Sequence, residues 1–462
     1  AQQTPAAAWQ TYADGMTRSP GILRFYTLLD DAPRQPDRAG SDAPLTYRPH
    51  QGAPLATEPG RIAGLTAALL DSDCFEAAPV LFPSNAFTVT LWVRPLGTGT
   101  QTGNGGSVNG MLACSGSGYT DGWRLAVYDW KTRLPAFEIG RDKGTISVRA
   151  NAPLSAGFWN HLAATWDGAR MRLYVNGTLS AEKPYDGVLV PPKASLKLGF
   201  AGYGVGSLRL AVDECALFDR ALPAATLAAL SLNGAPLNDA LARQVRTLQE
   251  AALNPERAAD FSRAAREIAS DARTPAAWRH WAALTAARRH ADTAACVALV
   301  DDLSAPAHLR GMAVETLTQA VRKGAELPSR VLAKLPEFLE LDADDQRHFA
   351  LALASAHARE GNVDAASAVF DQLLSFRDMP PIDAAEVRQR CARILRQAGR
   401  LDAARGHYAA VRDDPRLPAY VRAIAALGLA QTWRQDERLE QAEAAFRDAA
   451  GVTNAPPHLI DE

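Results

Sequence analysis

The pattern of apolar and polar positions changes character near residue 235. Before that point, apolar and polar residues alternate in short runs separated by clusters of turn residues, as at 87–93, 123–128 and 207–213. Alternation with a period of two is typical of strands that bury one face of a sheet. We therefore predict antiparallel strands packed as a two-sheet sandwich, with Trp92 buried in its strand.

The segment 158–177 carries the clearest turn pattern of the chain. Asp167-Gly168 and Asn176-Gly177 each interrupt alternating runs, and such pairs favour the tight turns of β-hairpins. This segment is therefore predicted to form consecutive hairpin strands. By contrast, 97–110 is rich in Gly, Thr, Ser and Asn, which predicts a mobile surface loop.

The hairpin segment also resembles a signature of laminin-G-like, concanavalin A-like domains, W-x-H-x-A-x-x-[WY]-D-G followed by L-Y-V-N-G. A second stretch, 212–222, resembles the closing strand of that family, G-x-[IV]-D-E-[VA]-x-[IVL]-[FY]-x-x-A-L. The resemblance implies an all-β jelly-roll sandwich over residues 18–235 that binds rather than catalyses. It places Trp159 in the sandwich core and gives His161 a structural position. Residues 1–17 are predicted to form an N-terminal arm.

After residue 235 the composition shifts to Ala, Leu, Arg and Glu, and the apolar spacing changes to three and four. Both features predict amphipathic helices. The stretch 359–366 recurs at 396–404 and, more weakly, at 434–442. Each unit is predicted to be a helix, a short turn and a second helix. Residues 236–462 therefore resemble an all-α, tetratricopeptide-like solenoid, although that family's usual period is about 34 residues.

Prolines keep the same period as these repeats. Pro380, Pro418 and Pro456 are 38 residues apart each time, and proline is well tolerated at a helix start. The segment 456–462 resembles the beginning of another first helix, so we expect the repeat array to be truncated there. Degenerate units of the same kind are predicted within 275–323.

Composition narrows the classes of function. The chain has 462 residues, 47% of them hydrophobic, and a formal net charge of −2, which argues against nucleic acid or an anionic membrane as partner. The first residues lack Met and any signal-like segment, which is typical of a mature secreted, cell-surface or periplasmic protein. The five cysteines form no C-x-x-C pair, so zinc is not expected. Cys74 and Cys215 could pair, but buried thiols are favoured.

Candidate ligand-binding residues lie in and near one group of loops. Tyr119, Trp123 and Trp130 would offer aromatic faces to a sugar, and Asp121 and Asp129 would bind its hydroxyl groups. The alternative is that Trp123 belongs to the core and the loop only folds over a sheet edge.

Asp213 is the candidate metal ligand. In β-sandwich glucanases and lectins that the chain resembles, the matching aspartate often ligates a structural calcium ion together with backbone carbonyls, which implies the same here. The alternative is a carboxylate that caps backbone N–H groups or pairs with an arginine such as Arg61. Glu214 is adjacent, so in a regular strand it would face the opposite side. The first half of the sequence also contains no E-x-D-x-x-E or E-x-D-x-E, the strand motifs of glycosidases of this fold, so no catalytic site is predicted.

These observations support a non-enzymatic binding protein. The sandwich would recognise a glycan or an extracellular partner, and the helical repeats would dock a protein. A groove for an acidic peptide, or else a solvated and salt-bridged helix face, is predicted from Arg388, Arg390, Arg393, Arg396, Arg400 and Arg405. The alternative functions are a structural or accessory module of a larger envelope assembly or enzyme, and a divergent carbohydrate-active enzyme.

Overall fold

The computed structural model describes residues 4–83, 86–98, 109–116, 120–127, 132–141, 143–199, 208–335, 343–376 and 379–451. It divides into two compact units, Ala1–Leu317 and Thr318–Glu462. The first unit contains strands and helices, and the second contains helices.

The strands of the first unit, within the described residues, are β1 Ile22–Thr27, β2 Arg34–Gln35, β3 Leu45–Arg48, β4 Ala56–Pro59, β5 Thr66–Asp71, β6 Cys74–Ala77, β7 Phe87–Thr98, β8 Asn109–Cys114, β9 Trp123–Val127, β10 Pro135–Gly140, β11 Thr145–Arg149, β12 Asn160–Trp166, β13 Arg170–Val175, β14 Thr178–Pro184, β15 Leu196–Gly199 and β16 Leu208–Phe218. They form two antiparallel sheets. One has the order β14-β13-β12-β7-β16-β5-β4, with β1 also on β16, and the other has the order β11-β10-β9-β8-β15-β6-β3-β2. The predicted two-sheet jelly-roll sandwich is confirmed.

The hairpins predicted from the X-Gly pairs are present as β12, β13 and β14. Asn176 and Gly177 both have positive φ, 50° and 76°, as a tight hairpin turn requires. A side chain at Gly177 would collide with Ser231, so the turn also needs glycine for close packing. Most of the predicted loop at 97–110 lies outside the described residues.

The helices of the first unit are α1 Pro5–Met16, α2 Ala224–Ser231, α3 Asp239–Ala252, α4 Ala258–Ser270, α5 Ala276–His290, α6 Thr293–Asp301 and the beginning of α7 Ala307–Arg322. Several of them bond directly to the sandwich, including α3, α5 and α7. The indole of Trp281 on α5 donates to the carbonyl of Asn176 at 3.1 Å, and Gln249 on α3 accepts from the Leu179 N–H at 2.6 Å. On α7, Glu315 pairs with a sandwich arginine, Arg133, at 2.9 Å.

This helical layer explains why the first compact unit extends to Leu317. The boundary predicted at 235/236 follows the change from strands to helices in the sequence, and β16 ends at Phe218. The compact unit continues beyond that change because the following helices cover one sheet. The predicted arm is tied down as well, because Trp9 of α1 is buried in a cluster with α2.

Strand β7 shows that this sheet is covered on both faces. Phe87 and Leu91 point into the core between the sheets, whereas Trp92 points to the opposite face and is buried there. Trp159 joins Trp92 in the same small outer cluster. Burial of both tryptophans is confirmed, but the expected position of Trp159 in the sandwich core is wrong. The reason is that helices as well as a second sheet pack on these strands.

The helices of the second unit, within the described residues, are α8 Ser329–Leu332, α9 Ala343–Arg359, α10 Val363–Leu374, α11 Pro381–Gln397, α12 Leu401–Arg412, α13 Ala419–Gln435 and α14 Leu439–Ala450. Helices α9, α11 and α13 begin 38 residues apart, and so do α10, α12 and α14. The turn positions Gly361, Gly399 and Glu437 all have positive φ, between 57° and 80°. The predicted helix-turn-helix repeat is therefore present, whereas its assignment to the tetratricopeptide type stays a prediction.

Two further expectations concern single features of the chain. All five cysteines are buried free thiols, which confirms the favoured alternative to a disulfide. The segment 456–462 lies outside the described residues. In the described parts of the chain, no helix is both long and apolar enough to cross a membrane.

Candidate functional site

The loops predicted to bind a ligand are only partly described. Tyr119, Asp129 and Trp130 lie outside the described residues. Trp123 begins β9 and is 1% exposed, because its ring lies in the core between the sheets. Asp121 is also buried, and its carboxylate accepts from two backbone N–H groups, at 2.6 and 3.1 Å. Trp123 is therefore a core residue rather than a ligand platform, and Asp121 joins two loops.

The predicted metal ligand, Asp213, is paired with an arginine. One oxygen of its buried carboxylate lies 3.5 Å from Nε of Arg61, and the other accepts from the Arg61 backbone N–H at 3.4 Å. Glu214 accepts from Nη2 of the same arginine at 2.7 Å and from the Tyr12 hydroxyl at 2.8 Å. Of the two alternatives for Asp213, the structure therefore shows the carboxylate paired with an arginine rather than a metal ligand.

Asp213 and Glu214 do not face opposite sides, so that expectation is wrong. The pairing of β16 with β7 shifts register between Val212 and Cys215. Such a bulge places extra residues on one strand and changes the direction of their side chains. Both carboxylates consequently reach one guanidinium.

Burial sets the electrostatics of this cluster. It raises the pKa of Asp213 and of Glu214, while the neighbouring Arg61 acts in the opposite direction on both. Burial alone would lower the pKa of Arg61, but the two carboxylates raise it overall. The residues around Asp213 do not fit calcium, because a second cation would be repelled by the guanidinium already there. Among the described residues, no three His, Cys, Asp or Glu side chains group as metal ligands.

Two buried histidines extend the same cluster across Trp92. The Arg61 guanidinium lies 4.6 Å from the Trp92 ring centroid, and the rings of His161 and His308 each lie 5.1 Å from it. Burial lowers the pKa of both histidines to about 3. Both are neutral and enclosed, so His161 has the structural role that the resemblance implied, and His308 joins α7 to the sandwich.

The second unit contains an open groove of about 690 Å³. A depression of about 290 Å³ shares part of its lining. Charged side chains from α7 to α11 line the two, namely Arg322, Glu326, Arg347, Arg359, Glu386, Arg390 and Arg393. Of these arginines, the repeat pattern in the sequence indicated Arg390 and Arg393 alone, because the groove combines residues of several helices.

Most groove arginines have an acidic neighbour. Arg390 pairs with Glu386 at 2.7 Å, and Arg359 lies 3.5 Å from Glu326. Arg347 pairs with Asp383, which lies outside the lining. Among the described residues, the lining of the two contains five arginines and two glutamates.

The other candidate arginines serve different purposes or lie outside this groove. Arg400 pairs with Asp364. Arg405 pairs with two aspartates and lies over the Trp433 ring, 4.0 Å from its centroid. Arg388 and Arg396 are absent from the groove lining among the described residues. The predicted arginine surface is thus divided between a groove and ordinary salt bridges.

The match to a known family lies within the first unit. Residues 71–228 match the family model Laminin_G_3, described as the concanavalin A-like lectin/glucanases superfamily. Pappalysin-1 of Mus musculus is 30% identical over 108 residues, which are 22% of this chain and 6% of that protein, so the chain spans only a small part of this relative.

Solved structures give weaker likenesses. The binding domain of Paraclostridial Mosquitocidal Protein 1 is 15% identical with a TM-score of 0.37, over 48% of this chain and 52% of that one. Domain 4 of AbnA, a GH43 extracellular arabinanase from Geobacillus stearothermophilus in complex with arabinotriose, is 18% identical with a TM-score of 0.36, over 46% and 98%. At such scores neither likeness informs function. The family match and the observed sheets together show that residues 71–228 form a concanavalin A-like domain of the laminin-G type.

Proposed function

We propose that this is a non-enzymatic, secreted or cell-surface binding protein whose helical unit docks an acidic segment of a partner protein. The observation that carries this proposal is the groove of the second unit, whose described lining contains five arginines and two glutamates although the whole chain carries a net charge of −2. A local excess of one sign in a concave surface attracts the opposite charge.

The groove arginines can exchange their internal acidic neighbours for acidic side chains of a partner protein. The pairs of Arg390 and of Arg359 are both about 40% exposed on the arginine side, and exposed pairs contribute at most about 1 kcal/mol. Arg393 has no hydrogen bond or ion pair within the described part of the chain. Guanidinium groups bind carboxylates in a two-pronged geometry. An incoming acidic side chain could therefore replace the internal acids at little cost.

The test is the binding of a fluorescent peptide of ten glutamates to the full chain, followed by fluorescence polarisation. We expect saturable binding, which Arg390→Ala weakens about ten-fold, because a charged hydrogen bond contributes about 1.5–3 kcal/mol. Arg447→Ala is the matched control, since Arg447 also pairs with a glutamate four residues earlier, at 2.5 Å, and lies outside the groove. Absence of saturable binding, or an equal loss in the control, would contradict the proposal.

The sandwich is proposed to recognise a glycan or an extracellular partner. The family match of residues 71–228 supports this. Glycan-array binding of the full chain, with Trp130→Ala for comparison, tests it. Binding that this substitution abolishes supports a glycan site. No binding to any glycan would favour the accessory-module alternative.

A further inference from the structure

We propose that the first unit contains a second binding site, a pocket for a small molecule that carries a carboxylate, sulfate or phosphate group. The pocket has a volume of about 270 Å³. It lies beside the β13–β14 hairpin, and helices α3, α4 and α5 contribute the rest of its lining with the loop after β11. The residues that carry the argument are Asn151, Thr178, Ser180, Thr285, Arg288 and Arg289.

Arg288 is the reason to expect an anion. It is half-buried on α5 and has no hydrogen bond or ion pair among the residues that the structure describes. Burial lowers the pKa of its guanidinium, while Cys296 and Glu315 act in the opposite direction from a distance. A guanidinium that has lost water without gaining a partner is unfavourable, and an anion placed against it would offset that loss.

The charge of the lining is one-sided. Arg288 and Arg289 both line the pocket, and none of the described lining residues is Asp or Glu. Arg289 is fixed, because its guanidinium donates to the Ala251 carbonyl at 3.1 Å and lies 4.5 Å from the Phe261 ring centroid. A rigid cation and a neighbouring free one, without internal acids, form a site selective for negative charge.

Hydroxyl and amide groups line the rest of the pocket. The hydroxyl oxygens of Thr178 and Thr285 lie 3.3 Å apart, and Ser180 donates to the Asn151 side-chain oxygen at 2.9 Å. Such groups suit a ligand that has hydroxyls as well as its acidic group. The volume is slightly below the roughly 300 Å³ at which drug-sized pockets begin, so the ligand is of monosaccharide size or smaller.

Calorimetric titration of the full chain at constant ionic strength tests this site. The probes are glucuronate, inorganic phosphate and sulfate, with glucose as the neutral match for glucuronate. We expect saturable binding of at least one anion and none of glucose. Preference for glucuronate would identify an acidic sugar as the ligand class, and preference for phosphate or sulfate an inorganic or esterified oxyanion. If no anion binds saturably, the proposal is overturned.

Substitutions of single residues test whether the anion binds in this pocket. Arg288→Ala should weaken it at least ten-fold, and Arg288→Lys should restore part of it because the charge returns without the two-pronged geometry. Arg243→Ala is the control, since Arg243 is exposed on α3 and does not line the pocket. If Arg288→Ala does not fold by circular dichroism, Thr285→Val serves as the second variant, with weakened binding expected. Unchanged binding in the folded Arg288 or Thr285 variants, or an equal loss in the control, overturns the site.

Discussion

Arg61 and Glu214 form an ion pair of 2.7 Å in which only 3% of each side chain is exposed. Glu214 also accepts from Tyr12 of α1, so the pair joins the N-terminal helix to β16, an inner strand of its sheet. Removing one partner of a buried pair leaves the other charge without water or counter-charge. This costs more stability than replacing both partners with apolar residues.

We therefore expect Arg61→Ala to lower the free energy of unfolding of the first unit by about 3–5 kcal/mol. Urea denaturation followed by tryptophan fluorescence measures this. The control is Arg220→Ala, because Arg220 pairs with Asp219 while half of its side chain is exposed, and its loss should cost at most about 1 kcal/mol. Equal effects of the two substitutions would show that the buried cluster has no special role.

Acid should destabilise the first unit through its buried histidines. The pKa of His308 is about 3 in the folded chain, against about 6.5 in the unfolded chain. Because the folded pKa is the lower one, its contribution to stability is complete above about pH 6.5 and is lost as the pH falls towards 3. The loss is about 1.4 kcal/mol per pH unit for each such histidine.

The measurement is urea denaturation of the wild type and of His308→Gln between about pH 7.5 and about pH 5. Arg61 acts on the pKa of His308, and His161 lies beside the same Trp92 ring; both remain in the variant. Asp213 and Glu214 also remain in the variant. Because burial raises their pKa values, their contribution to the free energy of unfolding changes with pH in the opposite direction to that of the histidines. Below about pH 6.5 the variant should lose stability less steeply than the wild type, by about 1.4 kcal/mol per pH unit. Identical slopes would show that His308 is not the titrating group.

Trp123 should behave as a core residue. Its ring lies 6.1 Å from that of Phe87, and truncating a buried tryptophan costs about 3–5 kcal/mol. Thermal and urea unfolding of Trp123→Ala measure the effect, and Trp123→Phe should cost less because it leaves a smaller cavity. Leu81→Ala is the surface control, since Leu81 is 65% exposed, and should change stability by no more than about 0.5 kcal/mol. A similarly small effect of Trp123→Ala would return this residue to the list of ligand candidates.

Salt should weaken binding of acidic peptides to the groove of the second unit. Raising NaCl from about 0.1 M to about 1 M shortens the screening length from about 10 Å to about 3 Å. Because exposed arginines line the groove, we expect the dissociation constant of a glutamate peptide to rise at least ten-fold over this range. Fluorescence polarisation at several salt concentrations measures it. An affinity that does not depend on salt would indicate apolar rather than ionic docking.

Local periodicity explains which parts of the fold could be predicted. The turns at Asp167-Gly168 and Asn176-Gly177 follow from the positive φ that such residues tolerate, and the alternation around them follows from the pleat of a strand. The 38-residue spacing of Pro380 and Pro418 is a property of the chain itself, and helix starts in the second unit keep it. Such features depend on residues close in sequence, and the sequence alone was enough to determine them.

The tertiary structure decided what depends on residues far apart. Arg61 meets Glu214 across 153 positions, and a bulge in β16 rather than strand alternation brings both acids to it. Trp92 is buried on an outer sheet face, where His308 of α7 packs against its ring. Arg288 has no hydrogen-bond or ion-pair partner among the described residues for the same kind of reason, since folding brings none of their carboxylates into the lining of its pocket. Patterns of residue type do not encode which distant surfaces meet, because burial and pairing arise from the packing of whole elements.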